Sequence, residues 1–309
     1  MKEKYKTKLI AALKNHNIMP VIAHALRNRW PIWIINNKSV RYLQLEDRTY
    51  KILKKKYRNI INNATKDYGQ LEKAEKIIWI CWLQGIENAP LLVKRCVDSV
   101  YENFPEFDIR IIDEKNMLSY IDIPDYVLRK WKNGIIPNAQ FSDIIRILLL
   151  AQYGGTWIDA TVYCTGNEKA EKLLQNSLFT YKLVMHGSGR IVASNWLISA
   201  GKNNPIIVLT KNLVLEYWKK ENIMINYLFF HIFFTLATEK YPEIWSNVPT
   251  FNNVSPHIMA NEINKEYSQE RFRELQEMSD FHKLNYKSNL IDDNFTLYSH
   301  VLHHRKAGE

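Results

Sequence analysis

Asp143, Arg146 and Asp159 are the residues of this chain whose types and spacing most invite chemistry. Asp143 and Arg146 stand three apart, so on a helix they share a face. Around them run Ile144, Ile145, Ile147, Leu148, Leu149 and Leu150. Charges on so apolar a segment are costly to bury unless they are paired or used. With Ser142 they make its only polar stripe. In a working site Asp143 accepts hydrogen bonds from sugar hydroxyls, and Arg146 anchors a hydroxyl or a phosphate. In a purely structural role the two form an internal ion pair. Asp159 follows Gly154-Gly155 and the short run Thr156, Trp157, Ile158. A carboxylate at a strand end is an oxygen ligand suited to manganese or magnesium. Such an ion stabilises a nucleoside diphosphate as a leaving group. A turn-capping aspartate is the plainer reading. The segment as a whole suits the grip of a metal-bound diphosphate and a sugar.

The elements that must position these residues are legible around them. Residues 138–153 form the apolar helix, and Gly154 suits the left-handed position after its C-terminus. The strand at 156–158 then delivers Asp159 to a sheet edge. Residues 77–83, IIWICWL, form an unbroken apolar run that ends at Gln84-Gly85, as in a central strand buried on both faces. Further strands are expected at 108–112 and 193–199. Helices are expected at 90–103, 125–132, 205–219 and 222–239, and weaker ones at 257–265 and 269–278. The tail from 281 to 305 is basic and rich in histidine. Strand and helix alternate, which favours an α/β domain. The chain has no Gly-rich phosphate loop and no Gly-x-Ser-x-Gly elbow.

Length and composition allow one large or two ordinary domains: 309 residues, 46% hydrophobic, with only ten Gly and ten Pro. The net charge of +10 is unevenly spread. Residues 1–76 hold 18 Lys/Arg against 6 Asp/Glu, and the remainder holds 24 against 26. We therefore divide the chain into a basic, mainly helical N-terminal extension (1–75) and a main domain (76–309). A basic extension suits an anionic partner such as membrane headgroups, an acidic protein or nucleic acid. A solvated basic face is the alternative. Residues 50–64 alternate Ile52, Leu53, Tyr57, Ile60 and Ile61 with lysines at helical spacing, so this helix either lies on an anionic membrane or docks on the main domain. Cys81, Cys96 and Cys164 make no zinc spacing and suit reduced, buried thiols in a cytoplasmic protein. Residues 223–238 are short for a bilayer span and are interrupted by Asn226 and His231, which suits a core or interfacial helix.

The string FSDIIRILLLAQYGGTWIDATVYCT resembles the core of the capsular polysaccharide synthesis glycosyltransferases, relatives of the wider group of DxD sugar transferases. It supplies Ser142, Asp143, Arg146, Gly154, Gly155 and Asp159 in the order and spacing of that family's signature. IIWICWLQG resembles the family's first strand, and the resemblance runs from about Lys76 to Leu302. It implies an α/β fold of the GT-A type, a Rossmann-like sheet flanked by helices. It also implies transfer of a hexose from a nucleotide sugar, UDP-linked by preference, to a saccharide or lipid-linked saccharide, with retention of configuration. Carried over by position, Trp82 stacks on the base, with Gln84 beside it. Asp143 and Arg146 hold the donor sugar, and Asp159 acts at the ribose and the metal. Asn195 sits near the sugar and Trp196 near the acceptor. The basic N-terminal helices would bring such an enzyme to the inner face of the membrane, where such acceptors reside.

One position departs from the DxD pattern, because Thr161 stands where a second carboxylate would be. A hydroxyl is a poorer metal ligand, so Asp159 needs help. In GT-A enzymes a C-terminal His or Lys often closes over the diphosphate. Lys283 is the candidate for the phosphate and His282 for the metal; a surface basic loop is the alternative. Three rivals stand beside this reading: a basic nucleic-acid-binding protein, suggested by the charge of residues 1–76, a metal-dependent hydrolase using Asp159 and the tail histidines, and a sugar-binding relative without activity. Nucleic acid leaves Asp143, Arg146 and Asp159 without a purpose. A hydrolase asks for a second nearby acid.

Overall fold

Thirteen elements place the site in the computed structural model, which describes residues 38–166, 168–183 and 189–303. The first half of the basic extension, residues 1–37, and the end of the basic tail lie outside those residues. In chain order the elements are α1 (Lys38–Lys56), β1 (Ile77–Cys81), α2 (Leu91–Asn103), β2 (Asp108–Ile112), α3 (Asn138–Tyr153), β3 (Gly155–Ile158), β4 (Val162–Cys164), β5 (Leu178–Lys182) and β6 (Ala193–Ala200). Behind them come α4 (Pro205–Lys220), α5 (Phe229–Lys240), α6 (Ser255–Glu262) and β7 (Phe281–Lys283).

The main sheet runs in the order β2-β1-β3-β6-β5. β1 is parallel to β2 and β3, whereas β6 is antiparallel to β3 and to β5. β3 is therefore the middle strand, and Asp159 leaves the centre of the sheet, not its edge as the sequence suggested. Alternation along each strand sends side chains to two cores. Trp79, Trp157 and Ile198 face α3, α4 and α5. Ile78, Ile80, Ile158 and Leu197 face α2 through Val93, Val97 and Val100. A mixed sheet covered by helices on both faces is the α/β architecture expected.

The two glycines between α3 and β3 are required by the close approach of backbone. Gly154 has φ 70° and ψ −149°, a region open essentially to glycine, and Gly155 has φ 84°. A Cβ at Gly154 would stand 2.7 Å from the Lys202 amide nitrogen, and one at Gly155 2.7 Å from the Ile77 carbonyl oxygen. The turn thus presses the end of α3 against the sheet. Trp79 Nε1 donates to the Gly154 carbonyl at 2.9 Å and seals the junction.

The amphipathic helix near residue 50 docks on the body. Tyr50, Leu53 and Tyr57 are buried in the cluster that holds Trp218 and Phe233. The Tyr57 ring meets Phe233 edge-on at 5.3 Å. Its lysines are partly tied down as well: Lys54 pairs with Glu239 at 2.7 Å and Lys56 with Glu221. Its apolar face is thus used within the fold. Residues 229–240 form α5, almost wholly buried, so the most apolar segment of the chain is a core helix. Among the described residues no helix is long and apolar enough to cross a membrane. All three cysteines are free and buried.

Candidate active site

The C-terminal ends of β1 and β3, with α3, β6 and β7, enclose a cleft of 670 Å³. That volume lies in the range of small-molecule sites, and open α/β sheets bind ligands at such strand ends. Asp143, Arg146, Asp159, Thr161, Asn195, Trp82 and Lys283 all line it. These seven come from five separate stretches of chain.

Arg146 is the hub. Its side chain is only 4% exposed, on the inner face of α3. Nη1 donates to Asp143 Oδ1 at 2.5 Å and Nη2 to Asp159 Oδ1 at 2.8 Å. Its guanidinium lies over Trp157, 4.7 Å from the ring centroid. Asn195 Nδ2, from β6, donates to Asp143 Oδ1 at 2.9 Å. Trp157 Nε1 donates to Asp159 Oδ1 at 2.8 Å. The sequence left open an internal ion pair or a working pair. The geometry is a pair shared between two carboxylates and set in the cleft wall.

The two carboxyls are pushed in opposite directions. Burial raises Asp143 to about 6, even against the nearby Arg146 charge, and the Asp159 charge adds to the rise. Burial pushes Asp159 up as well, but Lys283 and Arg146 outweigh it and hold the carboxyl below its ordinary range. Of the two carboxyls, Asp143 is the one whose charge changes nearer neutrality. Only its ionised form accepts hydrogen bonds at both oxygens. If it holds substrate hydroxyls, kcat/KM falls as pH drops through about 6. A pH–rate profile checks this, and Asp143→Asn should remove that acid limb.

Lys283 arrives through a small two-stranded sheet. β7 pairs antiparallel with β4, with Lys283 opposite Val162, directly after the Asp159 turn. The Leu284 amide donates to the Thr161 carbonyl at 2.9 Å. Lys283 Nζ then reaches Asp159 Oδ2 at 2.9 Å and the Thr161 hydroxyl at 2.5 Å. Consecutive strand residues face opposite ways, so His282 points into the body. It is fully buried, with Nε2 3.1 Å from the Thr165 hydroxyl, and burial lowers its pKa to about 3. His282 is therefore corrected: it is not a cleft ligand. Gln84 is corrected too. It is solvent-exposed in the turn after β1, outside the cleft lining, and its carbonyl accepts from Asn88 Nδ2 at 2.9 Å. Trp196 is buried, stacked on Tyr181 at 4.8 Å, and sits behind the cleft.

The donor set does not fit a divalent ion between Asp159 and Thr161. Both Asp159 oxygens already accept from cationic nitrogens, and the Thr161 hydroxyl shares the same ammonium. Among the described residues no group of three or more His, Cys, Asp or Glu could hold a metal.

Sequence reasoning missed His257, Lys287, Tyr286 and Tyr227, which also line the cleft. His257 Nδ1 lies 2.8 Å from the Asn253 carbonyl, so it must donate, leaving the lone pair of the neutral ring on Nε2. Nothing in the spacing around Ser255 marks that histidine as a site residue. His231, which interrupts the apolar run at 223–238, also touches the cleft.

The family model of the capsular polysaccharide synthesis proteins matches residues 27–301. The chain belongs to this family. The match takes in much of the basic N-terminal stretch, which the motif resemblance had left aside. Among solved structures the chain is similar to "PaToxG Glycosyltransferase", at 23% identity over 65% of this chain and 80% of that chain, with a TM-score of 0.41. No curated protein matches the chain.

Proposed function

We propose that this member of the capsular polysaccharide synthesis family is a glycosyltransferase of the GT-A type. It moves a hexose from a nucleoside diphosphate sugar, UDP-linked by preference, to a hydroxyl of a saccharide or lipid-linked saccharide. The observation that carries the proposal is the Asn195–Asp143–Arg146–Asp159–Lys283 chain of hydrogen bonds at the wall of one cleft. It offers carboxylates for sugar hydroxyls and cations for a diphosphate side by side. Trp82, partly exposed at the cleft and 5.4 Å edge-on from Tyr286, supplies an aromatic wall for the base.

In the proposed step the acceptor oxygen bonds to the anomeric carbon as the bond from that carbon to the phosphate oxygen breaks. The acceptor proton passes to the departing phosphate. Asp143 and Asp159 are both engaged by cations or amides, which favours the phosphate as base and retention of configuration. The test is a donor screen: purified protein with single nucleotide sugars and saccharide acceptors, reading nucleoside diphosphate release and the anomeric configuration of the product. Release from no donor would overturn the proposal.

Membrane association through residues 1–75 is proposed as electrostatic. The apolar face of α1 is buried, whereas Lys51, Lys55 and Arg58 are exposed. Binding to anionic vesicles should weaken steeply with salt; cosedimentation that survives high salt would contradict it.

A further inference from the structure

Three observations converge on one ammonium. Lys283 Nζ touches Asp159 Oδ2 and Thr161 Oγ1, the two side chains that the acidic motif offers to a cation. It is delivered by backbone pairing of β7 with β4 and not by a loose tail, so its place is built into the sheet. Its side chain is 22% exposed and lines the cleft, where Lys287 stands on the same segment. A divalent ion at Asp159 and Thr161 would have to displace that ammonium and then sit beside it, against like-charge repulsion. The position that lacks a second carboxylate is the one that receives a lysine.

We infer that Lys283 is the resident cation of this site and holds the donor diphosphate without a divalent metal. The inference rests on the nucleotide-sugar reading above. The ammonium keeps Asp159 and Thr161 as its anchors and turns its third N–H bond toward a phosphate oxygen. Lys287 adds a second positive charge at the cleft mouth. A neutral hydroxyl at position 161 then has a purpose: it accepts from Lys283 without cancelling its charge, as a carboxylate would.

The experiment is calorimetric titration of UDP, GDP, ADP and CDP into the full-length protein, once in EDTA and once with manganese. The expected result is that a nucleoside diphosphate binds with the same affinity, within about threefold, in both buffers. Lys283→Met should weaken that binding by about tenfold or more in EDTA, the loss expected for a charge-assisted bond to phosphate. The wild-type comparison needs no variant to fold. Manganese tightening wild-type binding tenfold or more would overturn the inference, as would a folded Lys283→Met that binds like wild type. Binding of no diphosphate in either buffer would instead overturn the nucleotide-sugar reading, and the inference with it.

Discussion

Replacing Arg146 with Met should destabilise the protein by about 3–5 kcal/mol, the usual cost of leaving buried charges without their partner. Met roughly matches the apolar stem, so a cavity contributes little. What is lost is the one guanidinium that serves both Asp143 and Asp159. Thermal unfolding should report a fall in Tm of roughly 10 °C at neutral pH. The pH dependence separates a charge effect from a packing effect. Without Arg146, the Asp143 carboxyl rises further above the about 6 it has in the wild type. A carboxyl with a raised folded-state pKa favours the fold below its unfolded value, and that contribution is lost as pH rises through the folded one. The defect should therefore shrink toward acid pH and be largest above about 6. A deficit that stays constant across the range would point to lost packing instead. Arg146→Lys should rescue only in part, because one ammonium cannot reach two carboxylates as a planar fork does.

Asp159→Asn should lower turnover by about a thousandfold while Tm shifts by only a few degrees. Asparagine keeps the shape and can still accept from Trp157 Nε1 and Arg146. It removes the charge that anchors Lys283 and half of what Arg146 compensates. Lys283 then loses its fixed place over the diphosphate, and the leaving group loses its cation. Because Asp159 acts in part through Lys283, the donor KM should rise along with the fall in kcat. A variant with normal KM and unchanged kcat would remove Asp159 from the mechanism.

Much of the framework was legible before any coordinates. The helix at Asn138–Tyr153 and the strand at Asp108–Ile112 fall where apolar periodicity and the flanking breaks placed them. Both are long or clean patterns with strong stops. The segment from Asn222 is less regular than expected, and its helix starts only at Phe229. An apolar run marks burial there but not where the first turn begins, and Asn226 instead caps a turn by accepting from the Leu228 amide. The short strand β7 gave no signal, since three residues carry no period and the neighbouring histidine and lysines read as a solvated tail.

The site divides along the same line. Local spacing was enough to nominate Asp143, Arg146 and Asp159, because helix and turn geometry tie those residues together over a few positions. The family resemblance marked Thr161 as the weak point and pointed to the His282-Lys283 pair. It could not say which of the two faces the cleft, because that depends on the register of β7 against β4, a contact between segments over a hundred residues apart. Nor could it find His257, which is brought in by packing of α6 against Trp196. The amino-acid sequence by itself determined the α/β class, the apolar helix with its paired charges, and the glycine turn that aims Asp159. Only the tertiary structure decided that Asp159 leaves the middle of the sheet, that Arg146 joins both carboxylates, and that a lysine fills the place of the missing acid. Short-range periodicity sets the first group. The second is set by strand register and long-range packing, which no local pattern encodes.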